Sequence, residues 1–195
     1  FSVNGDFVVV GRDDGRVGTW NKNGSLRTEP VGGHLSAVLS IAHDPATDRY
    51  ASGAEDGTLR IWTKGGQVIG PPVEAHQGSL RCISFSPTGE YLATGGNDGA
   101  LRLWFPQGAP YTEISDAHDG WITEVAFAPD GSVFASAGDD GILRLWDLDG
   151  QPIGQPMIGH EASVGALAFS ADAAQLISGG YYDGKIRIWE LAEVD

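Results

Sequence analysis

The sequence predicts an all-β protein built from repeated, four-stranded antiparallel units of about 42 residues, and three observations carry that reading. Five of the six tryptophans fall at 20, 62, 104, 146 and 189. Asp-Gly pairs begin at Asp14, Asp56, Asp98, Asp140 and Asp183, and four of the five histidines fall at 34, 76, 118 and 160. The steps are 42 throughout, except for one of 43 before the last Asp and the last Trp. Between these markers, apolar and polar residues alternate in stretches rich in Val, Ile, Phe and Trp. Pro-Thr-Gly and Pro-Asp-Gly turns cut these stretches, which is the pattern of half-buried strands joined by hairpins. No stretch sustains a helical period.

The units follow in order. The first, residues 1–33, is degenerate: Val10 stands where later units have Ser or Thr, Gly18 stands where they have Arg, and no His precedes it. Its Phe1 aligns with the end of the first strand in later units. The second, residues 34–75, contains SGAEDGTLRIW and places His43 where Phe85, Phe127 and Phe169 stand elsewhere. The third, residues 76–117, contains TGGNDGALRLW. The fourth, residues 118–159, contains SAGDDGILRLW, and its strands are expected near residues 122–127, 133–137, 143–146 and 153–157. The fifth, residues 160–195, contains SGGYYDGKIRIW, with one residue inserted between Ser178 and Asp183, and stops just past its third strand.

A single meander of this size cannot bury both of its faces, whereas radial repetition buries both, so the expected architecture is a β-propeller. Pro30, Pro72 and Pro156 share one register in the fourth strand. Proline cannot donate to a sheet ladder, so that strand should be the outer edge of each blade. With about 4.6 units, a partial ring is expected, part of a longer chain. A seven-blade ring would need roughly 294 residues, and a closed ring of five is the alternative.

With these residues in place, the chain resembles the WD40-repeat family over essentially its whole length, in the regular form found in bacterial multidomain proteins. The terminal Asp of the Trp-Asp signature appears only as Trp146-Asp147, being Asn21, Thr63, Phe105 and Glu190 elsewhere. The resemblance implies a hydrogen-bonded tetrad in each complete unit. These are His34, Ser52, Asp56 and Trp62; then His76, Thr94, Asp98 and Trp104; then His118, Ser136, Asp140 and Trp146; and finally His160, Ser178, Asp183 and Trp189. A buried imidazole must satisfy both ring nitrogens and a buried carboxylate needs donors, so such a chain of groups serves itself. The same residue types mimic a Ser-His-Asp triad. Four copies, each with its Ser or Thr inside a blade, argue for a structural role and against an enzyme. Arg60, Arg102, Arg144 and Arg187 lie two residues before the Trp, and their stems are expected to pack between blades with the guanidinium meeting an acidic neighbour.

Removing the periodic residues isolates the positions that the lattice does not explain. The His loop, the start of the first strand and the turn between second and third strands share one end of each blade. The resemblance marks that end as the usual partner surface. Its variable positions are Ala37, Leu39 and Glu55; Ser79, Arg81 and Asn97; Trp121, Thr123 and Asp139; and Ser163, Gly165 and Tyr182. Trp121 is the only Trp off the lattice and reads either as local packing or as an interface anchor. Trp121, Arg81, Asp139, Tyr182, Asn97 and Glu55 are the candidate partner-binding residues.

Charge and cysteine usage bound the function. Twelve Lys and Arg against 26 Asp and Glu give −14, which disfavours nucleic acid and anionic membrane and favours a protein or peptide partner of basic character. No apolar run exceeds five residues, and the first ten residues lack the features of a signal peptide. Cys82 is the single cysteine, so neither an internal disulfide nor a cysteine zinc site can form, and a cytoplasmic location is expected. Cys82 reads as a small buried apolar residue. Asp13-Asp14-Gly15 and Asp139-Asp140-Gly141 lack the D-x-D-x-D-G pattern with a distal Glu that calcium would need. No metal or other cofactor is expected. The expected function is a non-catalytic scaffold or recognition module within a larger protein; the alternatives are a sensor propeller of a bacterial signalling or effector protein and, disfavoured because only His43 lies off the lattice, an enzyme with a central-channel site.

Overall fold

The computed structural model describes residues 5–191 as five antiparallel sheets with no helix among them. The first sheet holds β1 (Phe7–Gly11), β2 (Arg16–Asn21) and β3 (Leu26–Gly32). The second holds β4 (Val38–His43), β5 (Tyr50–Ala54), β6 (Thr58–Trp62) and β7 (Val68–Glu74). The third holds β8 (Leu80–Phe85), β9 (Leu92–Gly96), β10 (Leu101–Trp104) and β11 (Pro110–Ile114). The fourth holds β12 (Ile122–Phe127), β13 (Val133–Gly138), β14 (Ile142–Asp147) and β15 (Pro152–Ile158). The fifth holds β16 (Val164–Phe169), β17 (Gln175–Gly180) and β18 (Ile186–Glu190). Each is a meander in chain order, so each sheet is one blade of a partial propeller.

The register confirms the alignment of the units. Val10 pairs with Gly18 in the first blade as Ser52 pairs with Arg60 in the second, so β1 is a second strand. The register of Phe1 lies outside the described residues. Pro72 and Pro156 sit on the outermost strands, within the three residues that the ladder skips opposite Arg60 and Arg144. The missing proline donor thus falls on a bulged edge that needs none.

Blades pack face to face. Ala51, Leu59 and Ile61 of the second blade meet Leu80, Ile83, Phe85, Leu92 and Trp104 of the third. Leu101 and Leu103 meet Ile122, Val125, Phe127 and Trp146 in the same way one blade on. Each fully buried Leu, Ile or Phe stabilises by about 1.5–3 kcal/mol relative to exposure, so the seams carry most of the fold. Two glycine positions let the seams close. Gly53 and Gly95 sit on second strands, where any Cβ would run into Leu80 or Ile122 of the next blade. The Asp-Gly glycines have left-handed φ, 79° at Gly57 and 70° at Gly99, and lie against the next blade's His carbonyl. Gly57 and Gly99 also accept hydrogen bonds from the backbone N–H of His76 and His118, at 3.0 and 3.2 Å. One turn therefore shapes its own hairpin and ties down the following blade.

Candidate functional site

The periodic polar residues meet inside the blades. In the third blade Trp104 Nε1 donates to Thr94 Oγ1 at 3.0 Å, and Thr94 Oγ1 lies 2.8 Å from His76 Nε2. His76 Nδ1 lies 2.8 Å from Asp98 Oδ1, and Arg102 donates to Asp98 Oδ2 at 2.8 Å. A neutral imidazole protonated on Nδ1 satisfies every group in this chain. The fourth blade repeats it, with His118 2.7 Å from Ser136 and 3.0 Å from Asp140, Trp146 donating to Ser136, and Arg144 to Asp140. In the fifth, His160 bridges Ser178 at 2.7 Å and Asp183 at 2.8 Å, and Trp189 donates to Ser178. Each Asp also accepts the backbone N–H that follows its His, as Gln77 to Asp98 at 3.1 Å.

The second blade differs from the expected tetrad. His34 and Trp62 reach Ser52 at 2.6 and 2.7 Å, but His34 Nδ1 is 3.8 Å from Asp56. Thr58 stands between them, accepting from His34 at 2.6 Å and donating to Asp56 at 2.6 Å. The other blades carry Ala100, Ile142 and Lys185 at that register, which offer no hydroxyl there. The arginine expectation also needs correction. Arg102 and Arg144 meet Asp98 and Asp140, but Arg60 and Arg187 form no ion pair among the described residues, and the Nε of each is buried without a partner. In the second blade Thr58 and two backbone N–H groups already occupy the Asp56 oxygens. Arg187 runs across Gly159, with its carboxylate neighbour engaged by His160 and backbone.

These networks set the local electrostatics. Burial pushes the Asp98 carboxyl up, but hydrogen bonds from His76 and Arg102 outweigh it and hold it at about 2. Asp140 is likewise at about 2, where donation from His118 overcomes burial. Asp183 is at about 2, led by the Lys185 backbone N–H. Burial lowers His34 and His76 despite their carboxylates. Ser52, Thr94 and Ser136 are wholly buried, so no substrate reaches these hydroxyls. Cys82 is buried too, its thiol pushed well up by desolvation. His43 is half-buried, 2.8 Å from Asp48 and against the Tyr50 ring.

The rim residues gather elsewhere. Arg81, Trp121, Asp139 and Tyr182 line one cavity of about 410 Å³, together with Ser163 and Tyr181. The Arg81 guanidinium carbon lies 4.1 Å above the Trp121 ring, and its Nε donates to Asn97 Oδ1. Trp121 remains 44% exposed. Its backbone carbonyl accepts from Asp139 at 2.8 Å, so the turn after β13 fixes its position. Tyr181 and Tyr182 meet edge to face at 4.8 Å, and Tyr181 lies over Gly165, where a side chain would crowd it. Glu55 is on the corresponding turn of the second blade and lies outside this cavity. Tyr181 was not among the predicted site residues, and the fifth unit's insertion was the signal for it. Among the described residues, no three His, Cys, Asp or Glu side chains group to hold a metal.

Sequence comparison decides the family. The sequence model of the WD domain, G-beta repeat (WD40), matches residues 24–63, 70–104, 110–147 and 150–190. The chain belongs to the WD40 repeat family. Each WD40 match begins in or just before the outer strand of one blade and ends at or next to the Trp or third strand of the following one, so the sequence repeat straddles a seam. No curated protein matches the chain. WD40 repeats are in general protein–protein interaction modules and typically not enzymes.

Proposed function

We propose that this WD40 chain is a non-catalytic interaction module, a scaffold or recognition unit of a larger protein, whose protein partner docks on the rim around Trp121. One observation carries the reading: four side chains from three consecutive blades, Arg81, Trp121, Asp139 and Tyr182, surround a single cavity. Trp, Tyr and Arg are the residues that dominate interface energetics. The net charge of −14 supports a segment of basic character, attracted by Asp139 and Asp119, whereas Glu161 is already paired with Lys185. A cytoplasmic setting suits the reduced, buried thiol of Cys82.

The test is affinity capture with wild-type and Trp121→Ala baits in parallel, followed by calorimetric titration of the captured partner and a melting curve for each bait. Truncation is expected to cost roughly 2 kcal/mol of binding at unchanged melting temperature, and binding is expected to weaken with salt. Unchanged affinity, or a large drop in melting temperature, returns Trp121 to local packing and ends the proposal.

A further inference from the structure

We propose that Arg81 receives a carboxylate from the docked segment, so that the rim reads an Asp or Glu side chain within an otherwise basic partner. The inference rests on the reading of the rim as the partner surface. Arg81 is fixed by two contacts, the Trp121 face and Asn97 Oδ1, and these occupy the ring-facing side and the Nε–H. A guanidinium has five N–H donors, and the terminal four of Arg81 have no hydrogen-bond partner among the described residues. Arg49, Arg102 and Arg144 each pair with a carboxylate. Arg81 shares the lack of an ion pair among the described residues with Arg60 and Arg187, but unlike them it lines the rim cavity, where an anion can reach it. The fork is already immobilised, so little side-chain freedom remains to be lost when it binds.

The cavity supplies a second donor. Ser163 is more than nine-tenths buried, lines the same cavity as Arg81, and its hydroxyl makes no hydrogen bond among the described residues. A carboxylate only accepts hydrogen bonds, so a guanidinium and a hydroxyl lining one cavity are both donors it can use. Asp139 limits the charge that the site tolerates. Asp139 lines the same cavity as Trp121, so a phosphate of charge near −2 meets more repulsion there than a single carboxylate accompanied by a cationic neighbour.

The probe is propionate, the side-chain fragment of Glu, titrated into the isotopically labelled 195-residue chain and followed by NMR. Butylammonium and inorganic phosphate are run at matched ionic strength. Propionate is expected to give saturable shifts at the Arg81 Nε–H, the Trp121 indole N–H and the Ser163 amide. Arg81→Gln should abolish them, Arg81→Lys should weaken binding about tenfold because a point charge does not match the carboxylate fork, and Ser163→Ala should weaken it several-fold. Signals remote from the rim report whether each variant is folded, and Ser163→Ala stands alone if Arg81→Gln is not. Shifts that persist in Arg81→Gln, or that spread over the surface without saturating, overturn the proposal, as does tighter binding of phosphate than of propionate. Saturation by butylammonium alone also overturns it, but leaves the rim as a partner surface, which the Trp121→Ala capture tests separately.

Discussion

A single hydroxyl decides how each blade wires its histidine. Thr58 inserts into the second tetrad, whereas Ala100 and Ile142 leave His76 and His118 to meet Asp98 and Asp140 directly. Removing a partner from such a network leaves buried groups unsatisfied, so Ser136→Ala, His118→Ala and Asp140→Ala are each expected to cost about 1–3 kcal/mol, read from urea unfolding curves. Thr58→Ala should fall in the lower part of that range, because Asp56 keeps its backbone donors. The same groups fix the response to acid. His34 and His76 titrate below the ordinary 6.5, so the unfolded chain takes up their protons first and stability declines as pH falls through and below that value. Asp98 and Asp140 titrate at about 2 rather than 3.8, so a second loss follows between those values. Unfolding midpoints at pH 8, 5 and 3 should therefore decrease in that order, and a midpoint at pH 5 equal to that at pH 8 would contradict the buried neutral histidines. The residues of the third, fourth and fifth tetrads were legible because a fixed period marks them and the family resemblance groups them, whereas nothing periodic marked Thr58 in the second. The Arg81–Trp121 stack was not legible, because it joins two units across a seam whose geometry no single repeat encodes.

At the scale of the blade, strand positions followed from alternation, turn chemistry and proline register, and the fourth blade's strands fall within a residue of expectation. The first blade is the exception to the lattice. With Val10 for Ser and Gly18 for Arg, its Trp20 ring lies against Gly18, beside which Pro30 also packs, and no tetrad forms. Phe7 and Val17 still pack against Tyr50 and Trp62, so the blade is held at one seam by apolar contact. Amides of β1 and β2 are expected to exchange at least about tenfold faster than those of β13 and β14. Equal protection in the two blades would show that the tetrad adds little rigidity.

Among the described residues, successive blades cover one another's faces, and the outward isoleucines of the fifth blade lie open. Leu59, Leu101 and Leu143 are 0–1% exposed beneath the following blade, whereas Ile186 and Ile188 of the fifth blade are 78% and 62% exposed. A Cβ placed at Gly179 meets nothing of another blade, unlike one at Gly53 or Gly95. Repetition made the partial ring readable from the sequence. What covers the last face was not, since unit length sets the blade and not the angle between blades. The 195-residue chain is expected to bind an apolar dye and to self-associate through this face. Ile186→Lys with Ile188→Glu should reduce dye fluorescence severalfold without lowering the melting temperature. Full dye binding in that variant would place the sticky surface elsewhere.

The straddling of each seam by the WD40 repeat has a genetic corollary. A coding segment for any 42 consecutive residues holds one of every strand type, wherever it is cut, so duplicating or deleting it in tandem adds or removes one blade while preserving the order of contacts along the array. Copy number is then cheap to change, whereas the off-lattice residues Arg81, Trp121 and Tyr181 sit on different copies. An exchange that inserted a unit between the third and fourth blades would keep the fold and separate Arg81 from Trp121, so recognition at this rim ties down the array's register more tightly than folding does.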